Sequence, residues 1–215
     1  MGESIKIAGL LSGPSLSALA DLPPAVASVK HSQTITIPPS PVGSPYGFTD
    51  TDWEMVAASK AAHGELRVVF GHQFRSEHYD TDMLIENVNA MLETAVAAYN
   101  KKPETIKVIL RFTPLAAGYG EHLFNEIARD IIGSDIAVFD TSDLNPNVML
   151  EMGVALTWGV RVLPIRNSNC PKPPSDISGQ TWAEYEAGTS AGRFPDNEHL
   201  TKLVRMVERA AKKKR

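Results

Sequence analysis

The chain has 215 residues, with 21 Lys+Arg against 25 Asp+Glu and a formal net charge of −4. That balance lacks the basic footprint of a nucleic-acid binder, and no run reaches the roughly 18 apolar residues that a membrane span requires. The single cysteine, Cys170, permits no intrachain disulfide and points to a reducing, cytoplasmic setting.

Small features at the ends and in one loop read as bland. No basic stretch followed by an apolar one marks a secretory leader. Lys6 stands where a myristoylation motif has Ser or Thr. The basic run Lys212 to Arg215 reads as a solvated helix end, where cations suit the helix dipole. Cys170 lies in NSNCPKPP with no base beside it in sequence, so it reads as incidental rather than as a nucleophile.

Residues 1–48 differ from the rest of the chain. They hold seven of the 15 prolines and few charges, which predicts an irregular, Pro-rich arm packed on the domain or on a second subunit. HSQTITIPP within it alternates like a short edge strand before prolines stop it.

From residue 49 to 215 the pattern is regular. Thr49 to Asp52 can cap a helix running to about Ala62, with His63-Gly64 as its stop. Leu66 to Phe70 is a short apolar run and a buried strand. Thr81 to Tyr99 places apolar residues at helical spacing. Ile106 to Leu110 reads as a second strand, Glu121 to Ile132 as a helix and Ile136 to Phe139 as a third strand. A helix over Val148 to Trp158, a strand over Val160 to Ile165, a fifth strand over Gln180 to Tyr185 and a closing helix over Asn197 to Lys212 complete the series. Strands that alternate with helices in this way define an α/β fold with a parallel sheet. The expected architecture is a flavodoxin-like three-layer sandwich of about five strands.

Ligands of open parallel sheets sit beyond the carboxyl ends of the strands. After the first strand come Gly71, His72, Phe74 and Arg75. After the second comes Arg111, and after the third come Asp140, Asp143, Asn145 and Asn147. Aromatic faces suit a base, arginines and a helix N-terminus suit phosphate, and carboxylates suit sugar hydroxyls. Each residue also has a structural reading. His72 can be a satisfied loop histidine, Phe74 a core residue, Arg75 and Arg111 surface ion-pair partners, and Asp140 the cap of the next turn. His72 and His78 share a loop without a third clustered ligand, so no metal is expected.

The helix after Asn145 is the most informative element. Asn145 fits its N-cap and Pro146 its first position. Val148 to Gly159 carries one charge in twelve residues, Glu151, so the helix should be buried nearly all round. Gly153, Ala155 and Gly159 would allow close packing on the sheet or on a partner. A glutamate so placed is either paired with an arginine or turned into a pocket at the strand ends, where the positive helix end would keep it ionised. Such a carboxylate can attack or stabilise an oxocarbenium-like sugar carbon.

The segment Asp140, Asn145-Pro146-Asn147-Val148, Glu151-Met152-Gly153-Val154-Ala155 and Gly159 resembles the corresponding strand, loop and helix of nucleoside 2-deoxyribosyltransferase-like proteins. Their fold is shared with TIR domains, many of which cleave NAD. Ser175-Asp176-Ile177-Ser178-Gly179 resembles a loop of related nucleotide-binding proteins. The resemblance spans about residues 65–210 and departs in the Asn-Pro-Asn loop, where the transferases have an acidic, Gly-rich one. It implies that Glu151 is the nucleophile or carbocation-stabilising acid, and that Asp140 or Asp143 positions sugar or base. The expectation is an enzyme that binds a nucleotide or nucleoside and cleaves, or transfers at, its N-glycosidic bond. No cofactor is needed, with NAD admitted as a substrate. Glu151 and Asp140 would be catalytic. Gly71, His72, Phe74, Arg75, Arg111, Asp143, Asn145 and Asn147 would bind substrate. The alternatives are a TIR-like NAD hydrolase of bacterial defence and a non-catalytic nucleotide sensor. A homo-oligomer is expected, because related sites are completed by neighbours.

Overall fold

In a computed structural model of the chain, the described residues are 47–77, 79–115, 123–171, 183–186 and 197–213. All fall in one compact unit, Pro38–Arg215. The expected arm up to Tyr46, the strand in HSQTITIPP, His78, Gly118 to Gly120 and the loop Ser175 to Gly179 lie outside the described residues.

Helix α1 (Asp50–Ala61) opens on a capping box: Thr49 Oγ1 accepts from the Asp52 N–H, and Asp52 Oδ2 accepts from the Thr49 N–H at 2.9 Å. Strand β1 (Glu65–Gly71) follows. The Asp80 side chain then caps α2 (Thr81–Asn100), whose Leu84, Val88, Leu92, Ala95 and Tyr99 form one buried stripe. Strand β2 is Ile109–Pro114, α3 is Leu123–Gly133 and β3 is Ile136–Asp140. Helix α4 is Pro146–Thr157, β4 is Arg161–Asn167, β5 is Ala183–Tyr185 and α5 is Asn197–Lys212.

The five strands are all parallel and run in the order β2-β1-β3-β4-β5. This is the flavodoxin-like order, whose switch point lies between β1 and β3. One core cluster joins Phe70, Val138 and Ile165 to α2 and α5. The other joins Val69, Phe139 and Val162 to α1, α3 and α4. Alternate strand residues thus face opposite helical layers, and both faces of the sheet are covered.

Strand β2 begins three residues later than the apolar run Ile106 to Leu110 implied. The Asn100 side-chain amide exchanges two hydrogen bonds with the Val108 backbone, which holds that residue against the end of α2. The pairing starts at Ile109 opposite Glu65. As an edge strand, β2 alternates exposed and half-buried residues, so it lacks the continuous apolar run of the inner strands.

Candidate functional site

At the switch point β1 ends on Gly71, in register with Phe139 of β3. A cleft of about 390 Å³ opens beside these ends. One wall is the loop after β1, with His72, Gln73 and Phe74. Another is the start of α4, with Asn145, Asn147, Leu150 and Glu151. Leu115, Phe124 and Ile127 close it from the β2–α3 side.

Glu151 is 9% exposed, and its Oε2 is buried without a hydrogen-bond partner. That oxygen lies where a side chain on Gly71 would stand: a Cβ there would be 2.7 Å from Glu151 Oε2 and would collide with the Phe139 ring. Gly71 is therefore the strand end that lets the carboxyl group reach the sheet. Burial pushes the Glu151 carboxyl up from 4.5 to about 7. The expected stabilisation of the ionised form by the helix end does not prevail. Glu151 stands in the second turn of α4, beyond the first turn where the dipole acts, and desolvation dominates.

Asn145 caps α4 as expected, accepting from the Asn147 N–H at 2.9 Å and the Val148 N–H at 3.5 Å. Its amide also donates to Gln73 Oε1 at 3.4 Å. Gln73 in turn donates to Asp143, which accepts from Ser76 Oγ at 2.9 Å as well. Gln73 thus ties the loop after β1 to the loop after β3. Between them Leu144 holds a φ of 50°, a left-handed conformation of the kind found at functional sites. Asp143 is engaged in this tie and does not line the cleft. Asn147 is exposed on its rim.

Asp140 is placed otherwise than expected. It follows Val138 on the α2–α5 face of the sheet, while Glu151 lies on the α4 face. Asp140 is 3% exposed and accepts from Tyr79 Oη, Tyr185 Oη at 3.2 Å, and the Ser142 hydroxyl and N–H at 2.6 and 3.3 Å. Burial raises its carboxyl above the usual range against these bonds, and raises the Tyr79 and Tyr185 hydroxyls too. It caps the following turn and ties β3 to β5 and to the loop before α2. It does not join Glu151 as a catalytic pair.

Arg111 is also elsewhere. It lies within β2 opposite Arg67, and its Nε contacts Glu65 Oε1 at 3.0 Å. Arg111 is the first cause of the lowered Glu65 carboxyl. This is the surface ion pair of the structural reading, at the amino end of β1. Arg75 is exposed and does not line the cleft. Phe74 is 64% exposed rather than core. His72 packs its ring 5.1 Å from Phe70 and contacts the Gln73 carbonyl at 3.1 Å through Nδ1.

Gln73, Leu115, Phe124, Ile127 and Leu150 had no site signal in the sequence. The spacing of Phe124 and Ile127 reads as a helix stripe, and only the packing of α3 on α4 makes it a cleft wall. Cys170 is buried, its thiol pushed up first by burial, and its carbonyl accepts from Arg166 at 2.6 Å. Among the described residues no three His, Cys, Asp or Glu are grouped to hold a metal ion, and no helix is long and apolar enough to cross a membrane. No protein-family model matches the chain, and no curated protein matches it in sequence.

Proposed function

We propose that the chain is a nucleoside 2-deoxyribosyltransferase-like enzyme that cleaves, or transfers at, the N-glycosidic bond of a nucleotide or nucleoside. The reading is carried by Glu151: a buried carboxyl oxygen without a protein partner, at the switch point, in a cleft with aromatic and amide walls. In the ionised form it attacks the anomeric carbon. The C–N bond breaks, its electron pair leaves with the base, and a glycosyl ester forms on Glu151. Water or a second base then takes the sugar and frees the carboxylate.

Among the described lining residues Glu151 is the sole carboxylate. A second acid of the glycosidase kind is therefore missing there, and His72 is the group that can protonate a departing base. That composition also favours the second reading, cleavage of NAD, because nicotinamide departs from a cationic precursor without a proton. The lone buried cysteine fits a cytoplasmic enzyme. Helix α4 was expected to be buried nearly all round, yet it exposes Leu150, Gly153 and Leu156 on one uncharged face. That face, next to the cleft, supports the homo-oligomer reading.

The deciding experiment is base release from NAD and a panel of nucleosides and nucleotides, followed by chromatography, with Glu151→Gln alongside. Release by the native chain, lowered at least 1,000-fold in the variant, is the expected result. Ligand-induced shifts in melting temperature with no release would leave a binding module. His72→Ala is expected to slow nucleoside cleavage at least 100-fold and NAD cleavage far less.

A further inference from the structure

A larger cavity, about 530 Å³, lies on the other helical layer and at the other end of the strands. Strand β5 pairs only with Ile165 to Asn167 of β4. The sheet edge therefore steps back along Arg161 to Pro164, and the cavity sits between that stretch and α5. Its floor is apolar, with Met91, Leu163, Leu203 and Met206. Its rim is cationic. Lys202, Arg205 and Arg209 follow one another at helical spacing along α5, and Arg161 stands on the opposite wall. Among the described residues that line it there is no Asp or Glu, although the chain as a whole is acidic.

Arg161 adds a second, independent sign. Its Nη2 donates to the Arg209 carbonyl at 3.0 Å, while its Nε is buried without an acceptor. A buried guanidinium N–H left unpaired is costly, and the charge of an anion held in the cavity would offset that cost. Guanidinium groups match the paired oxygens of a phosphate, several cations suit a dianion, and the apolar floor suits an aromatic body. The volume is in the range of small-molecule sites.

We propose that this cavity is a second binding site, separate from the Glu151 cleft, for a small phosphate monoester with an aromatic body. It does not depend on the glycosidic chemistry at Glu151.

The test is calorimetric titration of the full chain with AMP and phenyl phosphate, and with inorganic phosphate and adenosine as the two halves. The expected result is that at least one of the two esters binds at least 10-fold more tightly than either half. The double substitution Arg205→Glu/Arg209→Glu should weaken that ester at least 10-fold while leaving the melting temperature close to native. Both positions are exposed, and Arg209 uses only its carbonyl toward Arg161. Phe74→Ala, in the other cleft, should change the affinity less than 2-fold. The proposal is overturned if neither ester binds, if inorganic phosphate binds as tightly, or if Phe74→Ala weakens the ester while the charge reversal does not.

Discussion

Glu151 is placed where reactivity and stability conflict. Below about pH 4.5 its carboxyl is protonated in both folded and unfolded chains, and its burial exacts no charge penalty. Between 4.5 and about 7 the unfolded chain gives up the proton while the folded one keeps it, so stability falls as pH rises. Above about 7 the loss is complete and amounts to about 3 kcal/mol. Glu151→Gln should therefore raise the urea midpoint at pH 8 and change it little at pH 4.5, which denaturation at the two pH values checks. The opposite trend is expected for catalysis: if ionised Glu151 is the nucleophile, base release should climb through about pH 7 and level off above it. Gly71→Ala should cost about 1–3 kcal/mol and lower activity, because its methyl meets Phe139 and the Glu151 carboxyl. Asp140→Asn separates a structural from a catalytic role. It should destabilise the fold by about 2–3 kcal/mol, since the amide answers three hydroxyl donors and one backbone N–H poorly. Base release from the folded fraction should stay within a few-fold of native. Glu151 was legible in sequence as one charge in an apolar helix. Asp140 was misread because a strand-end aspartate looks the same whichever face of the sheet it takes, and that face follows from alternation along β3.

The elements were legible where one physical cause dominates. Helices α2 and α4 show an apolar stripe and a cap, and both begin at the expected residue to within two positions. Strand β2 did not, because its limits are set by the Asn100 clamp and by its place at the sheet edge rather than by its own apolar run. Loss of the α1 capping box through Thr49→Ala is expected to cost about 1 kcal/mol, read as a lowered melting temperature. Helix α4 carries the more informative prediction. Its exposed Leu150 and Leu156 lie on one face with Gly153 between them. If that face seats a second copy, Leu156→Glu should yield monomers in sedimentation while the circular dichroism spectrum stays native. An unchanged sedimentation coefficient would remove α4 from any subunit contact.

At the scale of the whole molecule, the alternation of strands and helices was enough to give a parallel sheet. Nothing local, however, states that β3 lies beside β1 rather than beside β2. That neighbour relation creates the switch point, and with it the meeting of Gly71, Phe139 and Glu151. It also creates the buried knot in which Asp140 gathers Tyr79 and Tyr185, 61 and 45 residues away along the chain. A chain ended at residue 171 would lack Tyr185 and the α5 residues Leu203 and Val207 that complete one core, and it should show no cooperative melt. The knot has a consequence for how the protein is made. Synthesis delivers Tyr79 and Asp140 well before Tyr185, so the nascent chain holds a carboxyl group at the heart of its sheet with part of its hydroxyl shell still to come. Folding of this unit should thus wait until Tyr185 and α5 have been synthesised, and until then its apolar strands are open to chaperones.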